Sequence, residues 1–294
     1  MKHRGRIQSD EEKQRRIEQA LKNRRHPPQP IKLPNPEPRR VVSRIHRSGT
    51  IIKSKPLIIR PFSPFTATFK HSGDLGDLWY SLPVIRYLGG GSLYLNPDGL
   101  KTRKPDGTIS GLNPELIKMS IPLLELQHYI KKVEKWNQHQ KVSLDIDIFR
   151  KIFPPKPSLC EKILASFSVP FSEIQKPWIE CDSKNIAKVV FNRSFRYRNE
   201  NTKYKEILAD NKESSVFIGL PEEHQDFESK FGKIDYYKIK DFLEMAQIIN
   251  GAELFVGNQS SSLALAIAMH KPFIQEAYIH GADCKIEISN AKYM

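Results

Sequence analysis

The sequence predicts an α/β protein with two lobes, a cleft between them and a basic, disordered N-terminal arm. Short apolar segments alternate with helical patterns, which is typical of parallel sheets covered by helices. This alternation occurs twice, before and after a proline-bearing stretch at 154–158. The third observation is that the positive charge is concentrated near the N-terminus.

The charge distribution separates an arm from a nearly neutral body. Residues 1–60 contain 17 Lys and Arg against 5 Asp and Glu, a net charge of +12, and the other 234 residues carry +2. Such an arm is expected to bind an anionic partner, either DNA or RNA through its phosphates or an anionic membrane surface. A solvated tail without a partner is the alternative.

Residues 1–61 are interpreted as this arm and a linker. Ser9 followed by Glu12 predicts a short surface helix over 9–25. Prolines recur with charges between positions 27 and 60, which is typical of an extended linker. Neither segment requires a hydrophobic core.

The expected location is cytoplasmic. The chain shows no apolar run of the signal-peptide type and no stretch of roughly 18 to 20 apolar residues such as a membrane span needs. Its three cysteines are far apart and form no zinc motif. They are typical of buried thiols in a reducing compartment.

An N-terminal lobe is predicted over 62–155. Its first elements form a βαβ unit, with a strand at 65–70, a helix at 77–88 and a strand at 92–97. A helical pattern interrupted by Pro122 then covers 114–136, and alternating residues predict a strand at 142–149. Residues 156–185 are the expected interdomain connection.

A C-terminal lobe is predicted over 186–294. Its predicted strands lie at 187–194, 214–220, 236–239, 253–257 and 272–277. Its predicted helices lie near 202–210, 221–231, 241–250 and 260–269. This order predicts a second parallel sheet covered on both faces.

The most specific motif is ELFVGNQSSSLALAIAMHKPFIQE, at 253–276. A buried strand ends at Gly257, a polar turn follows, and an alanine-rich helix begins near Ser260. Ligands of open α/β sheets bind at the carboxyl ends of strands, and a helix start binds phosphate well. The alternative is that Asn258 and Ser260 only cap the helix.

The second motif is HSGDLGDLWYSLPVIRYLGGG, at 71–91. Its glycines permit a sharp turn after the strand, and Asp77 is expected at the helix N-terminus, facing the same cleft. Gly73, Asp74, Gly76 and Trp79 are expected to lie near it. A helix-capping role for Asp77 is the alternative.

Together, in this order and at this separation, the two motifs resemble the family 9 glycosyltransferases of the heptosyltransferase type. The resemblance covers 64–97 and 187–277 and implies the GT-B architecture, with two Rossmann-like lobes. It departs from the usual pattern at His270, where the family has a glycine. We expect His270 in the left-handed conformation that ends a helix.

The resemblance implies roles for individual residues. Asp77 maps onto the proposed general base, and the residues around it, Gly73, Asp74, Gly76 and Trp79, are expected on the acceptor side. The donor phosphates map onto the helix start, at Gln259, Ser260, Ser261 and Ser262. Basic residues after the first strand of the C-terminal lobe usually reach those phosphates. Three arginines occupy this position, Arg193, Arg196 and Arg198. Guanidinium groups suit phosphate oxygens, and a solvated basic loop is the alternative.

The nucleotide is expected at the other strand ends of this lobe. Gly219 and Leu220 would border the base, and Glu276 would accept hydrogen bonds from ribose hydroxyls. The predicted reaction is an inverting transfer that uses no metal and no cofactor, with a nucleotide sugar as the donor substrate.

Three functions remain open at this point. The basic arm favours a transferase for a nucleic-acid acceptor such as modified DNA. A transferase for a glycan or lipid-linked acceptor is the second, with the arm on an anionic membrane. The third is a non-catalytic nucleotide-binding subunit of a nucleic-acid or protein assembly.

Overall fold

The structure is a computed structural model that describes residues 56–99, 102–103, 109–152, 158–281 and 284–294. Almost all of the predicted basic arm and linker, with its helix at 9–25, therefore lies outside the described residues. So does most of the proline-bearing stretch at 154–158. The described residues belong to one compact unit that spans Ile51–Met294.

The first half of this unit contains six strands and four helices within the described residues. The strands are β1 (Ala67–His71), β2 (Gly91–Leu95), β3 (Thr102–Arg103), β4 (Ile109–Ser110), β5 (Ile130–Lys135) and β6 (Leu144–Asp145). The helices are α1 (Leu75–Tyr87), α2 (Pro114–Glu125), α3 (Phe149–Ile152) and α4 (Leu159–Ser166). Four strands form a parallel sheet in the order β5-β2-β1-β6, and β3 and β4 form a separate antiparallel pair.

The second half contains six strands and four helices within the described residues. The strands are β7 (Val189–Asn192), β8 (Ser215–Ile218), β9 (Asp235–Tyr237), β10 (Leu254–Asn258), β11 (Phe273–Glu276) and β12 (Ala291–Tyr293). The helices are α5 (Tyr204–Asn211), α6 (Pro221–Phe231), α7 (Phe242–Gly251) and α8 (Ser261–Ala268). All six strands are parallel, in the order β12-β11-β10-β7-β8-β9. The predicted α/β class with two parallel sheets is confirmed.

The two sheets share a continuous hydrophobic core. Helix α1 packs against α4 and α8, and α2 packs against α7. Trp178 joins the two halves, since its indole N–H donates to the Trp79 carbonyl at 2.9 Å and its backbone N–H donates to the Ala268 carbonyl at 2.9 Å. Because both halves contribute to one core, the loops at their strand ends are held in fixed positions.

A β-bulge explains why the helix predicted over 114–136 is too long. The helix ends at Glu125, and β5 is a strand whose register against β2 shifts next to Ile130. The shift leaves Lys131 unpaired, so the buried side chains Ile130 and Val133 lie three residues apart instead of two. This spacing is the one expected of a helix, and it concealed the strand.

Two further details follow from local geometry. The predicted strand at 142–149 is strand only over Leu144–Asp145, because the Asp145 carboxylate caps the 3₁₀ turn Ile146–Ile148. The prediction for His270 is confirmed, since this residue ends α8 with a φ of 56°.

Candidate functional site

The loop from β1 to α1 brings the first motif to the carboxyl end of the first sheet. Gly73 has a φ of 104°, a conformation that side-chain-bearing residues rarely adopt, so glycine permits the turn. A Cβ added at Gly76 would meet nothing within 4 Å, so the start of α1 faces open space. Asp74 precedes α1, but its side chain makes no capping hydrogen bond with the helix.

Asp77 lies in the first turn of α1 and is held by an arginine from another element. Its Oδ2 accepts a hydrogen bond from Nη2 of Arg150, in α3. Nη1 of Arg150 donates to Oδ1 of Asp147 at 2.6 Å. The three side chains are 17 to 20% exposed, so they are held in place and remain in contact with solvent.

Asp147 connects this group back to β1. Its carboxylate accepts hydrogen bonds from the Ser72 backbone N–H at 3.1 Å and from the Ser72 hydroxyl at 2.5 Å. His71 is fully buried beside it, with Nδ1 at 4.0 Å from Oδ1 of Asp147. Burial lowers the pKa of His71 to about 4, so its ring is neutral at pH 7. We call Asp77, Arg150, Asp147 and Ser72 the acidic cluster.

The serine turn starts α8, as predicted, but two of its hydroxyls face the protein. Ser260 caps the helix through its Oγ, which accepts from the Leu263 N–H at 3.3 Å. The hydroxyls of Ser260 and Ser262 also donate to Oδ1 of Asn192, at 3.0 and 2.6 Å. They join β7 to α8 instead of pointing towards a ligand. Anion binding at this turn therefore depends on the first backbone amides of α8, which have no partner within a helix.

Gln259 and Ser261 complete this turn. The Gln259 side chain is buried, and its Nε2 donates to the Gly281 carbonyl at 3.4 Å. Ser261 is the first residue of α8 and is half-buried. The turn is therefore built mainly from backbone and capping contacts.

The three predicted arginines differ in their surroundings. Arg193 forms a bidentate ion pair with Glu276 at 2.8 and 2.9 Å, and the two side chains are 4% and 0% exposed. Arg198 pairs with Asp226 at 2.6 Å and is 16% exposed. Arg196 is 33% exposed, so it is the one of the three with most access to a ligand.

Arg196 connects the two halves of the site. Its Nη1 donates to Oδ2 of Asp74 at 3.3 Å, which joins the loop after β7 to the start of α1. Its backbone carbonyl accepts from Nδ2 of Asn258 at 2.5 Å, at the end of β10. Asn258, just before the serine turn, therefore contacts Arg196. Arg196 in turn contacts Asp74, which lies three residues before Asp77.

A small apolar surface lies at the ends of β7 and β8. The Glu223 carboxylate accepts from the backbone N–H of Leu220 at 3.1 Å and also from the backbone N–H of Phe195. The Phe195 and Leu220 side chains are 51% and 58% exposed. Gly219 precedes Leu220 in the chain, and a Cβ added to it would lie 2.7 Å from Nδ2 of Asn192. We call Phe195, Leu220 and Gly219 the apolar notch.

Comparison with solved structures identifies the architecture. A family 9 glycosyl transferase from Veillonella parvula matches with a TM-score of 0.50 and 11% identity, over 80% of this chain and 87% of that one. The chain has the GT-B fold. The E. coli heptosyltransferase WaaC with ADP-2-deoxy-2-fluoro heptose gives 0.47 and 10% identity, over 77% of this chain and 92% of that one. No protein-family model and no curated protein matches the sequence. At the level of the fold, the resemblance inferred from the two motifs is confirmed.

In this GT-B fold, Trp79 and Glu276 are among the predicted site residues that are buried. Trp79, expected on the acceptor side, is fully buried and packs edge-on against Phe242 with ring centroids 5.9 Å apart. Glu276, expected at the ribose, accepts hydrogen bonds from Arg193 and from the Asn199 N–H. Both side chains are buried and packed or bonded within the protein. In this conformation neither is exposed to a substrate.

Sequence reasoning missed several residues of this site, Ser72 among them. Asp147 fell in the strand predicted at 142–149 and Arg150 just after it. Asn192 fell inside the strand predicted at 187–194, and Phe195 in a basic loop. The alternation of acidic and apolar residues in DIDIFR, at 145–150, is a signal that could have indicated Asp147 and Arg150.

Two features are absent from the described residues, a metal-binding group and a membrane-spanning helix. No group of three or more His, Cys, Asp or Glu side chains among them could hold a metal ion. None of the helices there combines the length and apolar character that a membrane span requires.

Proposed function

We propose that this protein is a glycosyltransferase that moves a sugar from a nucleotide-diphosphate donor to an acceptor hydroxyl. The contact of Arg196 with Asp74 is the observation that supports this best. It places a partly exposed arginine, whose carbonyl is bound by Asn258 before α8, against Asp74, three residues before the carboxylate of Asp77. A transferase needs both, because one charge must stabilise the departing diphosphate while the other removes a proton.

The donor diphosphate is proposed to bind between Arg196 and the first amides of α8. A helix start binds phosphate through backbone N–H groups and the positive end of the helix dipole. Arg196 would exchange its single hydrogen bond with Asp74 for phosphate oxygens, which accept two hydrogen bonds from one guanidinium. In this proposal the positive charge comes from the chain itself, and no metal takes part.

The nucleobase is proposed to lie on the apolar notch. Phe195 and Leu220 expose flat and branched apolar surface, which suits one face of a base. Glu223 fixes both backbones, and burial raises the pKa of its carboxyl group. The notch and the start of α8 both follow strand ends of the second sheet, where α/β folds bind nucleotides.

Asp77 is proposed to be the general base. It would take the proton of the acceptor hydroxyl as that oxygen attacks the anomeric carbon, from the side opposite the departing diphosphate. The configuration at that carbon is then inverted. The open space at Gly76, where an added Cβ would meet nothing within 4 Å, is proposed to receive the acceptor beside Asp77.

The acceptor is proposed to be a nucleic acid such as modified DNA, because +12 of the charge is in residues 1–60. In the full chain, changing Arg15, Arg16, Arg24 and Arg25 together to Gln should weaken DNA retention and reduce its dependence on salt concentration. Unchanged retention would remove this acceptor and favour the glycan or lipid-linked alternative. Sedimentation with liposomes that contain acidic lipid tests that alternative.

The function itself is tested with a panel of ADP-, GDP-, UDP- and dTDP-sugars. A donor that raises the melting temperature is then assayed for nucleoside diphosphate release and for mass increase of candidate acceptors. Asp77→Asn should lower turnover roughly 100- to 10,000-fold while donor binding is retained. Asp98→Asn, an exposed carboxylate in the same half, is the control. Equal turnover in both variants would contradict the proposed base.

A further inference from the structure

We infer that Arg150 is a positioning residue that holds the Asp77 carboxylate in the orientation needed for proton transfer. The inference rests on the proposed function, since it gives Arg150 a role only if Asp77 is the base. It begins with the bridging geometry. One terminal nitrogen of the guanidinium binds Asp77, and the other binds Asp147 at 2.6 Å. A planar guanidinium that is bound at both nitrogens has a fixed orientation.

The second step is that Arg150 is itself held in place by Phe149 and Asp147. Its guanidinium lies over the Phe149 ring, 4.3 Å from the ring centroid. Asp147 is fixed by two hydrogen bonds from Ser72, one from the backbone and one from the hydroxyl. A continuous series of hydrogen bonds therefore runs from the end of β1 through Asp147 and Arg150 to Asp77.

The third step concerns charge. Arg150 contacts two carboxylates, and without it Asp77 and Asp147 would lie near each other with less compensation. A cation further along this cluster, Lys70, binds Asp145 at 2.6 Å and is 4.0 Å from Asp147. The neighbouring His71 is buried and neutral. Because Arg150 contacts Asp77 directly, its substitution changes the environment of the base.

This arrangement separates positioning from chemistry. Arg150 does not touch the reacting atoms in this assignment and does not exchange a proton. It fixes the plane of the carboxylate before the acceptor arrives, and misplacement of a reacting group by about 1 Å can cost roughly 100-fold in rate. Loss of Arg150 should therefore lower kcat and leave donor binding unchanged.

The test compares Arg150→Met with Arg86→Met. Arg86 is a matched control because it is also 18% exposed and ion-paired, with Glu173 at 3.3 Å, at the opposite end of α1. We expect kcat for nucleoside diphosphate release to fall roughly 30- to 100-fold in Arg150→Met and less than about threefold in Arg86→Met. The Kd of both variants for the donor selected in the sugar-nucleotide panel should stay within about twofold.

The conservative variant Arg150→Lys gives a readout that a purely structural role would not produce. Lysine keeps the charge but cannot bind both carboxylates as a fork, so the kcat of this variant should lie between the kcat of the native chain and that of Arg150→Met. Equal kcat in Arg150→Met and Arg86→Met would overturn the inference. If Asp77→Asn also leaves turnover unchanged, the proposed base is wrong, which is a different outcome.

A second measurement does not depend on activity. Melting temperatures of Arg150→Met, Asp77→Asn and the double variant form a cycle that reports whether the two side chains interact in solution. We expect the double variant to lose clearly less than the sum of the single losses. Strictly additive losses would show that the contact is absent and would overturn the inference, whatever the catalytic result.

Discussion

Two groups of charged residues lie at strand ends, one in each half of the molecule, and they differ in exposure. Arg193 and Glu276 in the second half are 4% and 0% exposed, whereas the charged members of the acidic cluster in the first half are 17 to 20% exposed. A buried ion pair has lost its water and holds its loop rigidly. A carboxylate that still contacts solvent can accept a proton from a substrate.

This difference in exposure indicates different roles for the two halves of the candidate site. In the second half Arg193 and Arg198 form ion pairs that hold the loop after β7 in place. Arg196 is the most exposed of the three arginines. Binding there relies on backbone amides and on the apolar notch. In the first half Asp77 is paired with Arg150 but is still 20% exposed, which suits a catalytic group. The experiments below test this contrast.

The largest effect on stability is expected at the buried pair. Glu276→Gln removes the countercharge of Arg193 in the second half, and leaving a buried charge unpaired costs about 3 to 5 kcal/mol. Urea denaturation monitored by circular dichroism measures the free energy of unfolding. Asp226→Asn, which breaks the more exposed pair with Arg198, is the control and should cost less. Equal losses of unfolding free energy in the two variants would show that the buried pair is no more important for stability than the partly exposed one.

His71 makes a pH-dependent contribution in the first half. Its pKa is about 4 in the folded protein and 6.5 in the unfolded chain, because burial disfavours the charged ring. The unfolded state therefore binds the proton first. The stability is complete above pH 6.5 and is lost as the pH falls towards 4, by about 2 kcal/mol between pH 7.5 and pH 5.

The measurement compares unfolding free energies at these two pH values in the native chain and in His71→Leu. The variant should lack this part of the pH dependence, while the contribution of His270, whose pKa is also lowered by burial, remains in both. A native chain that is no more sensitive to this pH change than the variant would show that His71 is accessible to protons. The region around His71, next to the acidic cluster, would then be accessible to water.

The smallest effect is expected at the serine turn. Ser260→Ala removes the cap of α8 and a hydrogen bond with Asn192, and a lost cap costs about 1 kcal/mol. Ser261→Ala, at the first position of the helix, should change the free energy of unfolding by only a few tenths of a kcal/mol. If both variants lose the same free energy of unfolding, the cap and the Asn192 hydrogen bond of Ser260 do not stabilise the protein as its contacts indicate.

The sequence predicts much of the fold because its elements carry local signals. The βαβ unit, the alanine-rich helix after the serine turn and the left-handed end of that helix at His270 all follow from residue types in order. Strand β5 was missed because its bulge gives buried residues a helical spacing. Strand β12 gave no periodic signal, since it has three residues.

Pairing of charges at the strand ends is what local patterns could not supply. Arg193 meets Glu276 and Arg150 meets Asp77 across 83 and 73 residues of sequence. Spacing indicates that several charged side chains reach one edge of a sheet, but it does not indicate which of them pair. That choice depends on loop geometry and burial, which only the folded chain determines.

Hydrogen exchange tests the central claim, that the starts of α1 and α8 face one shared site. The first amides of a helix have no partner within it, so they exchange quickly in the free protein unless a ligand covers them. With a sugar nucleotide that raises the melting temperature, exchange should slow both at residues 75–77 and at residues 261–262. Slowing at α8 with none at α1 would contradict the account.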